Sequence, residues 1–308
     1  MIRAGAIAAL ALASAAPAVA GFPVEITETC PVGGETFTYV TTGSYSTFGQ
    51  RPDGKPYGSW TFPLAMPECP SNALVVYREF KPEEIAALTA LVQSAEYQAM
   101  REESQYFRAA WLARRMDAAN PLEALFLLLS ATWEVDDAPE TKARYQRAFA
   151  DAALVVPIDV AQIETLFLQY RRANALRELG DFDAARTALD LLPRAALDVN
   201  VPTDRKVPYK TRDEARSRRF LFDTIPVMRK VIEAGDASSF PIDLMDSDMA
   251  GWACADLNDA GEPLHARCAE PAVEERMQEI LDIRRNNPPE DEASAADAAE
   301  EAEAASSP

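Results

Sequence analysis

The stretch Ala173–Leu189, "ANALRELGDFDAARTAL", decides how most of this chain is read. Gly180 stands at a turn between two helix-forming segments, the aromatic Phe182 follows two positions later, and Ala185 lies three beyond that. A glycine allows the sharp turn, and an alanine at that distance lets the two helices approach closely. Working outward, helices are expected over Val160–Leu179 and Phe182–Leu192, and further off over Ser104–Ala118, Pro139–Leu154 and Asp213–Glu233. Pro82-Glu83-Glu84 opens another, with Ile85, Leu88, Leu91 and Val92 on one face and acidic residues in the first turn, where the helix dipole favours them. Asn120-Pro121-Leu122-Glu123 combines an expected N-cap, proline at the first helical position and a capping glutamate. It leads into Leu125–Leu129, apolar on nearly every side, so this helix is expected at the centre.

The glycine, aromatic and alanine spacing is that of a tetratricopeptide repeat. Earlier consensus positions fit less well, and no clean period of about 34 residues recurs elsewhere, which leaves one good unit among degenerate ones. Such units bury their faces only by stacking, so a short curved array is expected and not a closed bundle. A concave helical face binds another protein or a peptide. The candidate contacts are Tyr106, Arg114, Arg115, Tyr170, Arg171 and Arg172, with Arg114-Arg115 and Arg171-Arg172 marking a local basic patch in an acidic chain. Solvated or packing roles are the alternative for each.

Upstream of the helices, "TCPVGGETF" and "ECPSNALVVYREF" read as the two halves of a zinc ribbon, each short of one cysteine. In Cys30-Pro31-Val32-Gly33-Gly34 a glycine holds the second ligand position, and in Cys69-Pro70-Ser71-Asn72-Ala73 an asparagine does. Neither binds zinc usefully. Thiolates sharing one zinc lie at most about two bond lengths of roughly 2.3 Å apart, so a direct Cys30–Cys69 bond needs only a modest closing of that scaffold. A covalent clip in place of a metal clip is the expectation, with two free buried thiols as the alternative. Between the knuckles, Phe37 and Tyr39 alternate with threonines as a half-buried strand requires, Arg51-Pro52-Asp53-Gly54 is a turn, and Ala73–Tyr77 has strand propensity. A small antiparallel sheet is expected from about Val24 to Phe80. Tyr45, Phe48, Tyr57 and Trp60 either line a groove there or pack on the helices that follow.

Cys30, Pro31, Gly34, Phe37, Cys69 and Pro70, followed by a strand and tetratricopeptide-like helices, make the region Thr29–Leu192 resemble an uncharacterised bacterial family that pairs a four-cysteine ribbon with such helices. Gly33 and Asn72 depart from that pattern, and the family carries no assigned activity that the resemblance could bring here.

The two ends set the compartment. Arg3, an uncharged Ala/Leu-rich run from Ala4 to Ala16, and Ala18-Val19-Ala20 read as a secretory signal peptide cut after Ala20, so residues 1–20 are expected to be lost and the protein to be periplasmic or secreted, without a stable membrane anchor. Export permits disulfides. Cys254 and Cys268 flank the turn Asn258–Gly261, and an even count of 4 cysteines leaves no orphan. Three connectivities are possible, of which Cys254–Cys268 with Cys30–Cys69 is favoured. After Pro289 the chain is acidic and without a basic residue, and residues 289–308 are expected to stay solvated. The formal charge of -19 works against nucleic acid and anionic lipid as partners.

Catalysis has few sequence signals. His265 is the one histidine, a Cys254/His265/Cys268 zinc set lacks a fourth ligand, and no P-loop, dinucleotide fingerprint, H-E-x-x-H or G-x-S-x-G is present. No cofactor is expected. Carboxylate pairs such as Asp136-Asp137, or those within Asp243–Asp248, keep open an enzyme acting on a cell-envelope polymer. The organisation expected is α+β and mostly α: a degenerate zinc-ribbon-like β part over 21–81, a tetratricopeptide-like helical array over 82–235, and a disulfide loop with a helix over 236–288. The function expected is a non-enzymatic protein-binding or scaffold module, with the envelope-polymer enzyme and a zinc-binding protein as alternatives.

Overall fold

The structure, a computed structural model, describes residues 21–286; the expected signal peptide and acidic tail lie outside the described residues. The fold is α+β and mostly α. Strands β1 (Pro23–Thr29) and β2 (Thr36–Thr42) pair antiparallel along their full length, from Pro23 opposite Thr42 to Thr29 opposite Thr36, so the first cysteine turn is a hairpin loop. A second two-stranded antiparallel sheet joins β3 (Thr47–Gln50) to β4 (Pro56–Gly58) around the turn at Arg51–Lys55.

Eleven α-helices follow among the described residues: α1 (Ile85–Val92), α2 (Ala95–Gln98), α3 (Gln105–Met116), α4 (Pro121–Glu134), α5 (Pro139–Leu154), α6 (Ile163–Glu178), α7 (Phe182–Asp190), α8 (Arg194–Leu197), α9 (Tyr209–Glu233), α10 (Ser247–Asp259) and α11 (Pro271–Asn286). From α3 to α7 each helix packs on the next; α4 also touches α6, and α6 and α7 touch α9. Thus α4, α6 and α9 lie side by side while α5 and α7 fill in behind, the layering of stacked helix pairs. At the α6–α7 turn Gly180 takes φ 76°, its N–H and that of Asp181 return to Arg177 O and Leu176 O, and Ala185 is fully buried at the crossing. Glycine, aromatic and alanine at this spacing thus form a tight turn and a close helix crossing.

Two local expectations are corrected. Asn120 makes no side-chain cap; its N–H is instead accepted by Asp117 Oδ1 at 3.2 Å, and α4 starts on Pro121 alone. Ala73–Tyr77 forms one isolated bridge, Val75 with Glu68, and no strand. Leu74 O and Val76 N–H bond to the backbone of Cys69 and Pro67, while the groups on the other edge go to side chains: Tyr97 Oη accepts from Val75 N–H and donates to Ala73 O, which also accepts from Arg108. The single small sheet expected over 24–80 is therefore two separate two-stranded sheets.

The interior divides into connected clusters. Cys30, Val32, Phe37, Cys69 and Leu74 share one core with Leu88, Val92, Tyr97 and Leu112, so the cysteine turns and α1–α3 stabilise one another. Each fully buried leucine there contributes about 1.5–3 kcal/mol. Leu166, Tyr170, Ala185 and Leu221 belong to the array's core, and Cys254, Cys268, Val273 and Ile280 to that of the α10–α11 pair.

Candidate functional site

The two cysteine turns are built alike. Cys30 N–H donates to Glu35 O at 2.8 Å and Gly34 N–H to Cys30 O at 3.1 Å; Cys69 N–H donates to Leu74 O at 2.9 Å and Ala73 N–H to Cys69 O at 2.9 Å. The fifth residue of each turn is left-handed, Gly34 at φ 73° and Ala73 at φ 60°. Ala73 is the one non-glycine residue with positive φ among the described residues. Sulfur joins the turns, with Cys30 and Cys69 Cα atoms 5.6 Å apart, and Cys254 is joined to Cys268. Asn72, where a ribbon would have its second ligand, reaches across instead: Nδ2 donates to Val32 O at 2.8 Å and lies 3.7 Å from Cys30 Sγ. Glu35 Oε1 crosses the other way, accepting from the backbone and hydroxyl of Ser71 at 2.9 and 2.6 Å, and these bonds lower its pKa. The sulfurs and a Glu35 oxygen lie within 4.8 Å of one another, the one such metal-ligating trio among the described residues. Bonded to each other, the sulfurs offer no thiolate to a metal.

The β3–β4 tip carries charge into the array. Arg51 binds Asp53, and its guanidinium also grips Asp136 at 2.8 and 3.1 Å. Lys55 and Lys142 reach the same Asp136 carboxylate at 2.6 and 2.8 Å, and Lys142 lies 3.4 Å from Glu178. Burial opposes the charged form of Asp136, but hydrogen bonds from Arg51, Lys142 and Lys55 prevail and hold it far below the ordinary carboxylate range. Burial raises the Glu178 carboxyl. Arg171, buried in α6, donates to Pro52 O and lies under Gly54, where a Cβ would stand 2.9 Å from its Nε. Arg177, fully buried, holds Asn174 Oδ1 and the carbonyls of Asp236 and Ser238.

The network gives the candidate carboxylates structural surroundings. A general acid needs a raised pKa, and Asp136 is pinned as an anion, while its neighbour Asp137 is exposed. Asp246 caps α10 and accepts from Tyr57 Oη at 2.7 Å; Asp248 pairs with Arg276 at 2.6 Å; Asp243 lies 3.4 Å from His265. Each carboxylate of that run has a structural partner. Tyr57 also meets Phe240 at 5.8 Å and Tyr45 meets Phe62 at 5.2 Å, both packing contacts, whereas Phe48 stays 69% exposed.

Of the six residues expected to contact a partner, four are engaged inside the fold. Tyr170 and Arg171 are buried, because α6 is packed on α4, α5, α7 and α9 and capped by the hairpin tip. Arg172 donates to Ala150 O at 3.0 Å, and Tyr106 Oη donates to Leu64 O at 2.9 Å. Arg114 and Arg115 are exposed together at the end of α3. Arg115 lies over Trp111, 3.6 Å from the ring centroid, and pairs with Glu96 at 3.2 Å; Arg114 has no hydrogen bond or ion pair among the described residues.

These two guanidinium groups rim a cleft of about 550 Å³ between α3, α4 and α5. Its walls are apolar: Phe107 and Trp111 from α3, Leu125 and Leu128 from α4, Ala148 and Ala152 from α5. The small alanines leave the space, and Val155, 79% exposed, continues the apolar surface at its lip. A cleft of this size, mostly apolar with a few charged groups at one edge, has the make-up of a ligand site. The arginine pair was legible in the sequence; the cleft was not, because its walls come from three helices whose packing no local pattern states. Comparison with protein-family models, with curated proteins and with solved structures finds no match for this chain.

Proposed function

We propose that this protein is a non-enzymatic binding module of the cell envelope, and that the α3–α4–α5 cleft holds an apolar peptide segment flanked by an acidic residue. The observation that carries the reading is the pairing of an open apolar cleft with Arg114, a cation that makes no ion pair among the described residues although Asp117 also lines the cleft. Two or three apolar side chains fill the alanine-floored space, as anchors of a peptide do, and Arg114 with Arg115 takes the carboxylate at the edge. Two disulfides and the absence, among the described residues, of a helix long and apolar enough to cross a membrane accord with an extracytoplasmic setting.

Trp111 in the cleft wall gives the readout. A panel of short peptides with Leu or Phe anchors, with and without a flanking Asp or Glu, is titrated while tryptophan emission is followed. Acidic amphipathic peptides bind best, Ala152→Trp abolishes binding by filling the cleft, and Arg114→Glu with Arg115→Glu weakens the acidic peptides about tenfold or more while sparing neutral ones. Binding that survives Ala152→Trp refutes the reading.

A further inference from the structure

Helix α9 is 25 residues long, yet its buried residues, Leu221, Ile225, Met228, Val231 and Ile232, all lie in its C-terminal half. The first three turns bury no apolar side chain; Arg218, 11% exposed, donates to Val160 O at 2.8 Å at their inner end, and propensity alone does little to hold the rest helical. Residues 205–219 carry seven basic side chains against two acidic ones in a chain whose formal charge is -19. Arg218 and Arg219 are paired, with Glu214 and with Asp198 and Asp223. Arg205, Lys206, Lys210 and Arg216 are exposed and make no ion pair among the described residues. Tyr209 is 68% exposed; Phe220, 38% exposed, stacks one face on Phe167 of α6 with ring centroids 6.2 Å apart and leaves its other edge to solvent. Eleven residues apart, they fall about 20° from each other around the helix, with Arg216 on the same stripe.

We propose that the exposed side of the N-terminal half of α9 is a peripheral docking face for an anionic phospholipid surface. Aromatic rings and cations together match the headgroup layer, which offers both negative charge and an apolar boundary. The overall negative charge does not prevent it, since charges beyond about 8 Å are screened at physiological ionic strength. Local sign therefore outweighs net sign. The chain's own acidic residues after Pro289 supply charge but no aromatic or large aliphatic side chain to meet Tyr209 and Phe220.

The test is cosedimentation of the chain from Gly21 to Pro308 with vesicles of phosphatidylcholine alone or with about a third phosphatidylglycerol. Binding is expected to the mixed vesicles only, and to be lost in 0.5 M salt. Each cation removed lowers partitioning about fivefold, so Lys206→Gln, Lys210→Gln and Arg216→Gln together lower it about a hundredfold. None of the three touches the folded core, and unchanged circular dichroism confirms the fold. Tyr209→Ser weakens binding at constant charge. No binding to mixed vesicles, equal binding to both kinds, or binding indifferent to the triple substitution overturns the proposal.

Discussion

Substitution of Asp136 by asparagine tests the charge network that seats the β3–β4 hairpin on the array. The carboxylate is shared by Arg51, Lys55 and Lys142, whose side chains are only 15%, 17% and 12% exposed. Removing one partner from a buried ion pair costs about 3–5 kcal/mol, because the remaining charge stays desolvated. Asparagine keeps an oxygen, Asp53 still binds Arg51, and Glu178 still lies near Lys142, so the lower end, about 3 kcal/mol, is expected. The assay is urea unfolding at neutral pH, with Asp137→Asn as the control one residue away. Exposed and unpaired among the described residues, Asp137 should shift stability by less than about 0.5 kcal/mol. The acid limb gives a second reading. A carboxyl whose folded pKa is lowered adds stability that is complete above its unfolded value, about 3.9, and is lost as pH falls toward the folded one. The native protein should therefore lose stability below about pH 4, and the gap to Asp136→Asn should narrow there. A variant within about 0.5 kcal/mol of the parent at pH 7 would refute the network's role.

The turns and disulfides give further expected outcomes. Ala73→Gly should raise stability by about 0.5–1 kcal/mol, the left-handed penalty of roughly 1–2 less glycine's unfolded-state entropy, and Gly34→Ala should lower it by a similar amount, both read by thermal unfolding. Gly54→Ala combines φ 93° with a Cβ 2.9 Å from Arg171 Nε, and should cost about 2 kcal/mol in urea titration. Replacing Cys30 and Cys69 by serine should cost about 4 kcal/mol, and replacing Cys254 and Cys268 about 3, since the loops closed span 39 and 14 residues; equal losses would count against the chain-entropy account.

The helical architecture was legible because its determinants are local. Gly180, Phe182 and Ala185 state a turn and a close crossing within a few residues, and Pro139–Leu154 was bounded as observed. The Cys30–Cys69 pair was also legible, since each turn carries its own cysteine and proline signature. Arg171 shows where that approach fails. Two adjacent arginines in an acidic chain resemble a surface patch, but Arg171 is buried by Pro52 and Gly54, 119 residues away along the chain in its hydrogen bond to Pro52. The strand expected at Ala73–Tyr77 is cut to one bridge for a related reason: only the short Pro67–Cys69 segment pairs with one edge, and Tyr97 and Arg108 take up the Ala73 and Val75 backbone groups on the other.

The seating of the β3–β4 hairpin also bears on the order in which the molecule assembles. The array grows by contacts between successive helices, whereas the hairpin is held by bonds spanning 81, 85 and 119 residues, and Tyr57 by one spanning 189. Contacts that close long loops form late, and a small element with few apolar anchors is the first to open. The hairpin is thus the last piece to arrive and the first to leave, and hydrogen exchange at Gly54 should outpace that of α6 while the helices behind it remain intact.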